Sequence, residues 1–310
     1  MKRLSIISIL ILLINSLYAQ TVNLQENANA IVKERTAVFS QADINNGTYK
    51  VKEVITILNK QGERVGYFTA YGDKFRELKD FSGVVKNAAG AVVKKIGKKD
   101  LSISSLSEGF KTDDYRIGYA SKHPAYPYTV EYTYEFKFKN GILAYPPFTP
   151  IEGYRQSAEK VHYTIELPLD VKLRYHSNFD CDIKEQTENN KHIYTFSVEN
   201  MKAIDREPLA PVERELIPWV FIAPSDFCYD SFCGNMSDWN NLGAWIAGLL
   251  KERDVLPDPF VEKLHDMTKD AKDDGEKVDI LYKYLQDNTR YVSIQLGIGG
   301  YRPIDAATVL

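Results

Sequence analysis

Two of the three cysteines, Cys228 and Cys233, lie close together in the stretch FCYDSFC. Thiols at that spacing could attack a carbonyl, ligate zinc or pair with each other. Attack needs a neighbouring base that favours the thiolate, and a zinc site needs further ligands at regular spacing. The five histidines (His123, His162, His176, His192 and His265) are scattered, and the nearest, His265, is isolated. None stands with a Cys or Ser as a nucleophile and its base would. A structural or disulfide role in an oxidising compartment therefore outweighs catalysis, and Cys181 is left over.

The other chemistry-bearing groups have simpler readings. Gly297-Ile298-Gly299-Gly300 follows a β-type run but lacks the Lys and Ser/Thr of a phosphate loop and the spaced third Gly of a dinucleotide fingerprint, so it is read as a turn. The acids Asp266, Asp270, Asp273 and Asp274 match no calcium loop, and helix capping accounts for them. Tyrosines such as Tyr132 and Tyr134 could stack on sugars, but their alternation places them in a core. No catalytic, cofactor-binding or metal-binding residue is assigned.

The elements that would position these groups are mostly strands. Val130, Tyr132, Tyr134, Phe136 and Phe138 alternate with Thr129, Glu131, Thr133, Glu135 and Lys137, which is the period of a strand with one buried and one wet face. The pattern repeats at Val161, Tyr163, Ile165 and Leu167, at Leu169, Val171, Leu173 and Tyr175, and at His192, Tyr194, Phe196 and Val198. Such alternation argues against a parallel nucleotide-binding sheet, whose strands are apolar on both faces. Turns are expected at Asn59-Lys60-Gln61-Gly62, Asn87-Ala88-Ala89-Gly90 and Asn140-Gly141, each read as a hairpin. The fold class is mainly β, an antiparallel sandwich-like domain.

At residues 207–224, Pro208, Pro211, Pro218 and Pro224 mark a non-helical linker with one short strand at 219–222. Beyond it the period turns helical. Ser237 is placed as the cap of a helix burying Trp239, Leu242, Ile246, Leu249 and Leu250. Asp258-Pro259 opens a second helix with Phe260, Leu264 and Met267 on one face. Asp273 and Glu276 suggest a capping box before Val278, Leu281, Tyr282 and Leu285. A last strand is expected at 290–296, with no partner for its edges.

Composition bounds the function. The 310 residues carry a net charge of −3 and a pI near 6.0, which argues against a nucleic-acid partner. Lys2 and Arg3, an apolar core over 4–17 and Tyr18-Ala19-Gln20 form the layout of a secretory signal peptide cleaved after Ala19. That core is shorter than the ~20 residues of a membrane-spanning helix. The expected location is periplasmic or extracellular, with protein, peptide and cell-envelope glycan all open as partners.

Two stretches resemble known families. The residues FCGNMSDWNNLGAWIAGLL, then Lys277, Val278, Tyr282 and Tyr284, then TRYVSIQLGIGGYRP, resemble the entry to a bacterial transglutaminase-like domain. The preceding YTVEYTYEFKFKNG and Gly153-Tyr154-Arg155 resemble the exported domain of unknown function 3857, which commonly precedes such a core. The resemblance implies a nucleophilic Cys in a Gly-Asp-Cys motif after the region matching 306–310, with a His and an Asp further on. No family catalytic position is carried by this sequence. The expected layout is a signal peptide at 1–19, a β domain at 20–225, and the first helices and strand of an incomplete transglutaminase-like domain at 226–310. On that reading the chain lacks activity of its own; the alternative is a stand-alone extracytoplasmic β binding or scaffold module.

Overall fold

The computed structural model describes residues 22–106, 111–290 and 294–309. The expected signal peptide lies outside them. The strands run in chain order as β1 (Ala30–Asp43), β2 (Asn46–Ile57), β3 (Phe68–Gly72), β4 (Arg76–Lys86), β5 (Val92–Gly97), β6 (Ser102–Ser105), β7 (Lys111–Thr112), β8 (Tyr115–Tyr119) and β9 (Tyr128–Phe138). They continue as β10 (Gln156–Pro168), β11 (Leu173–Ser177), β12 (Asp182–Glu188), β13 (Lys191–Met201), β14 (Val220–Pro224), β15 (Asp226–Tyr229), β16 (Phe232–Asn235) and β17 (Ile294–Gln295). The helices are α1 (Glu213–Leu216), α2 (Trp239–Leu250), α3 (Asp258–Thr268), α4 (Asp274–Asn288) and α5 (Ala306–Val309).

The molecule is mainly β, as read from the alternation. Its centre is an eight-stranded sheet in the order β12-β13-β10-β1-β2-β9-β4-β5. An antiparallel arrangement is expected throughout, but β1 and β10 pair in parallel, Ala37 opposite Tyr163 and Phe39 opposite Ile165. Parallel and antiparallel ladders share the same two-residue side-chain period, so alternation identifies a face and not the direction of the neighbour.

The two faces differ as the alternation requires. On the wet face, charged and hydroxyl side chains pair across strands: Lys50 with Glu135 at 3.3 Å, Lys86 with Glu131 at 2.6 Å, and Thr56 with Thr129 at 3.0 Å. On the other face Phe39, Val51, Ile55, Val130, Tyr132, Tyr163, Ile165 and Phe196 are buried. Small sheets cover that face. The sheet β3-β8-β6 sets the Phe68 ring 4.5 Å from Phe81 and 5.6 Å from Tyr132. The β11–β14 pair sets Tyr175 edge-on to Phe196 at 5.6 Å. Aromatic pairs in these tilted and edge-to-face geometries add to the burial of their area.

Only one of the three expected hairpins forms. Asn87 Oδ1 accepts from the Ala89 and Ala91 amides, Gly90 takes φ +79°, and β4 pairs with β5. At Asn59 the chain instead enters a 3-10 helix, Lys60–Gly66, capped by the Asn59 side chain, and β3 pairs with β8 rather than β2. Asn140-Gly141 does turn the chain, at φ 59° and 156°, but leads into a long loop. Gly141 is needed there because a Cβ would meet the Tyr229 ring at 2.9 Å and the Cys228 carbonyl at 3.0 Å.

The proline-rich stretch is more structured than the sequence suggests. Between Pro211 and Pro218 the chain makes one turn of helix, α1, contrary to the non-helical reading, since four residues between prolines suffice for a single turn. Ile217, Val220 and Ile222 then join the core of the main sheet.

The helical segment departs from its expected faces. Asp238, not Ser237, caps α2 by accepting from the Asn241 amide at 2.8 Å, and Ser237 donates to Asn235 instead. Trp245 and Leu249 are the buried residues of α2, while Trp239 is 86% exposed. Helix α4 is capped by Asp273, which accepts from the Glu276 amide, but the Glu276 carboxylate accepts from the Lys272 amide, one residue past the cap, and the reciprocal box does not close. Neither α3 nor α4 buries any residue. The expected strand at 290–296 is described only at Ile294–Gln295, its residues 291–293 lying outside the described set. It does have a partner: β17 pairs in parallel with β7.

Candidate functional site

Strand β2 carries a charge where its alternation calls for an apolar residue. Val51, Ile55 and Ile57 are buried on the covered face, and Glu53 stands between them. Its cross-strand neighbour on β1 is Arg35, placed on the same face by a register shift between Val32 and Glu34. Arg35 Nε donates to Glu53 Oε2 at 2.9 Å, with the two side chains only 13% and 10% exposed. Arg35 Nη1 also donates to the Thr149 carbonyl at 2.8 Å, and Nη2 reaches Glu152 at 3.4 Å. A buried charge is tolerated only when paired and hydrogen-bonded, and these contacts meet that condition.

The pair forms one wall of a cavity of about 180 Å³. Tyr49, Tyr134 and Tyr163 also line it, and the segment Pro147 to Glu152 lies over it. That roof is clipped to β14 by two backbone bonds, Phe148 N–H to the Val220 carbonyl at 3.0 Å and Val220 N–H to the Phe148 carbonyl at 2.8 Å. Burial pushes the Glu53 carboxyl above its ordinary range, with Arg35 the main opposing charge. The Arg35 guanidinium feels the same burial, but Glu53 and Glu152 outweigh it and keep the guanidinium charged. Burial likewise raises the three tyrosines, which stay neutral and can both donate and accept. The Tyr163 hydroxyl is buried with no hydrogen-bond partner. An unpartnered buried polar group ordinarily costs about 1–3 kcal/mol.

The cysteines fall elsewhere. Cys228 and Cys233 face each other across the β15–β16 hairpin as a disulfide. Cys181 is half-buried, its thiol pushed up to about 11 by burial and the nearby Asp182 and Asp180, opposite to what a nucleophile needs. His162 sits on the wet face, 3.9 Å from Glu199, and His176 packs its ring against Trp219. Of the acids at 266–274, Asp273 caps a helix, while Asp266 and Asp274 pair with Lys269 and Lys277. Among the described residues no three metal-ligating side chains converge.

A second meeting point joins the helical segment to the sheet. Asp230, in the β15–β16 turn, accepts from Lys74 Nζ at 2.8 Å and from the Ile298 amide at 3.4 Å. These contacts lower the Asp230 carboxyl below its usual value. The Tyr301 ring packs edge-on against Tyr229 at 5.8 Å and Trp245 at 5.5 Å. Gly297 to Gly300 form a 3-10 turn, as the sequence reading has it.

Reasoning on motifs missed the cavity because Arg35, Glu53, Tyr134, Glu152 and Tyr163 come from four strands and a loop, at no recurring spacing. One signal was available: a lone Glu at a buried-face position of an alternating strand. Tyr134, read as core, packs 5.2 Å from Phe68 and also faces the cavity.

The chain superimposes on a solved Parabacteroides distasonis ATCC 8503 structure described as a candidate protease, with TM-score 0.60 at 15% identity. The match covers 91% of this chain and 55% of that one, so the chain spans about half the length of that structure. At this identity the likeness concerns the fold. An M1 zinc metallopeptidase of Deinococcus radiodurans matches at TM-score 0.28 and 7% identity, over 63% of this chain and 42% of that one, too weak to bear on the argument. No curated protein matches by sequence. The family model described as Domain of Unknown Function with solved-structure structure (DUF3857) matches residues 44–205, from the β1–β2 turn to beyond β13, taking in Glu53, Tyr134 and Tyr163 though not Arg35; the chain belongs to this family.

Proposed function

We propose that the chain is the non-catalytic β region and first helices of an exported transglutaminase-like protein, and that the β region positions the segment leading toward the catalytic centre. The observation that carries this reading is the anchoring of the glycine motif. The residues that resemble the entry to a transglutaminase-like domain are held through Asp230 to Lys74 and Ile298, and through Tyr301 to Tyr229 and Trp245. Pairing of β17 with β7 adds a backbone tie. Export is supported by the signal-like N-terminus and by the Cys228–Cys233 disulfide, which suits an oxidising compartment.

On this reading, acyl transfer belongs to residues of the parent protein outside this sequence. Purified residues 20–310 are expected to show neither transamidation of a glutamine peptide nor peptide hydrolysis, under reducing or oxidising conditions. Turnover that disappears in Cys181→Ser would place the nucleophile within the chain and overturn the non-catalytic reading. The positioning role has its own test in amide hydrogen exchange. Asp230→Ala should speed exchange over 294–304 and leave β9 unchanged; equal protection in both proteins would remove the anchor.

A further inference from the structure

The cavity against Arg35 and Glu53 is not explained by positioning of the helical segment, since Asp230, Tyr301 and Gly297 do not line it. Its lining carries two opposite charges that the buried ion pair leaves over. One is Arg64, exposed on the 3-10 helix Lys60–Gly66. That helix is held in place by the Asn59 cap and by the Tyr132 hydroxyl, which donates to the Gly66 carbonyl at 2.6 Å. The neighbouring Glu63 is taken by the Tyr126 hydroxyl, and among the described residues no carboxylate pairs with Arg64. The other charge is Glu152, whose side chain is 66% exposed. Its contact with Arg35 is 3.4 Å, against 2.9 Å between Arg35 and Glu53, and is too long for a strong charged hydrogen bond. Glu53, Tyr49 and Tyr134 all feel the charge of Glu152 and none of them feels that of Arg64. Arg64 and Glu152 therefore stand at separate parts of the lining.

A lone anion drawn to Arg64 would share the cavity with two carboxylates, and a lone cation drawn to Glu152 would share it with two guanidinium groups. A molecule with one charge of each sign meets neither objection. The Tyr49 and Tyr134 hydroxyls, on the Glu152 side, have no hydrogen-bond partner among the described residues, and neither is sealed from solvent as the Tyr163 hydroxyl is. As neutral phenols they can accept from an ammonium group. At ~30 Å³ per water, about 180 Å³ has room for roughly six non-hydrogen atoms, which is the size of a small amino acid. We propose that this cavity binds a small zwitterion, a free amino acid, with its carboxylate on Arg64 and its ammonium on Glu152 and the two tyrosine hydroxyls. A dipeptide has the same two charged ends.

The test uses residues 20–310 with alanine and glycylglycine as zwitterions, N-acetylalanine as the carboxylate alone and alaninamide as the ammonium alone. Saturable binding of alanine or glycylglycine is expected by calorimetric titration and ligand-observed NMR. A site for a free amino acid prefers alanine, and one for a dipeptide prefers glycylglycine. N-acetylalanine and alaninamide each lack one charge and should bind at least about tenfold more weakly, the loss of one charged hydrogen bond. Arg64→Ala should weaken the zwitterion by a similar factor. In Glu152→Gln the advantage of alanine over N-acetylalanine should disappear. Both side chains are exposed, so these two variants should melt within about 2 °C of the unaltered chain. Tyr134→Phe should weaken zwitterion binding about threefold. Binding of neither zwitterion overturns the proposal, as does equal or tighter binding of a singly charged probe. Unchanged affinity in Arg64→Ala, or a persisting preference for alanine over N-acetylalanine in Glu152→Gln, also overturns it. The series of probes on the unaltered chain tests the same point without any substitution.

Discussion

The covered face of the main sheet and the apolar faces of α3 and α4 were read from sequence in the same way, by period, and only the first is buried. Phe39, Ile165 and Phe196 are fully buried, whereas Val278, Tyr282 and Leu285, one helical face of α4, are 63%, 60% and 49% exposed. The difference lies in what covers them. The sheet has two small sheets and the Pro147–Glu152 roof against it, while the closest element to α4 among the described residues is α3, where Phe260 meets Tyr284 at 5.9 Å and Lys263 donates to Tyr284 at 2.8 Å. Period states which side of an element is apolar; burial needs a second surface of matching shape.

Substitutions should separate the two regions most clearly. Phe39→Ala removes a ring in contact with Phe138 and Tyr145 and is expected to cost about 3–5 kcal/mol in urea denaturation. Leu285→Ala on α4 should stay within about 0.5 kcal/mol. Similar losses at both positions would mean that α4 is covered in solution by something the fold described above lacks. Ion pairs offer a second contrast. Glu53→Ala leaves the buried Arg35 guanidinium without its closest carboxylate, at a cost of about 3 kcal/mol. Asp287→Ala, which breaks the exposed pair with Lys283 one turn away, should cost no more than about 0.5 kcal/mol.

The hairpin that joins the regions should show an intermediate effect. Replacing both Cys228 and Cys233 by Ser opens a short loop, for which the chain-entropy account gives about 2 kcal/mol. The loss should concentrate at Phe227 and Trp245, which stack at 4.9 Å, and be visible as a change in tryptophan fluorescence. A change confined to the main-sheet core would show that the hairpin belongs to the β region alone. Proteolysis gives a related test of the two-part organisation. Leu209 is wholly exposed on the stretch between β13 and α1, whereas Val220 and Ile222 are core, so the first cut is expected near Leu209. First cleavage within β9 would speak against a discrete β region.

The smallest effects come from pH, and the two sites should respond with opposite sign. Asp230 has a folded-state pKa below its usual 3.8, so its contribution is present above that value and is lost as pH falls through the folded pKa. Its side chain is about a third exposed, which keeps the contribution below roughly 1 kcal/mol. Glu53 has a folded-state pKa above its usual 4.5, so its contribution is full below that value and is lost as pH rises through the folded pKa. Acidification below about pH 4 should therefore release residues 294–304 before the sheet, and Asp230→Asn should abolish that early step. Simultaneous loss of both regions in hydrogen exchange would remove the distinction.

What the amino-acid sequence determined by itself was local. Period two sorted Glu131 and Glu135 to the wet face and Val130 and Tyr132 to the buried one, because a pleated strand leaves no other choice. The Asn87–Gly90 hairpin and the Asp273 cap were legible because their hydrogen bonds close within a few residues. The tertiary structure alone decided which strands became neighbours. It turned two expected hairpins into a 3-10 entry and a loop, set β1 parallel to β10, and gave the 294–295 strand its partner on β7. It also decided among the roles left open for Cys228 and Cys233, by bringing them opposite each other in one ladder. The cavity is wholly of this second kind. Side-chain alternation records the face on which Arg35, Glu53, Tyr134 and Tyr163 stand, but their meeting depends on a strand order that joins positions more than a hundred residues apart through packing, which leaves no periodic trace in the chain.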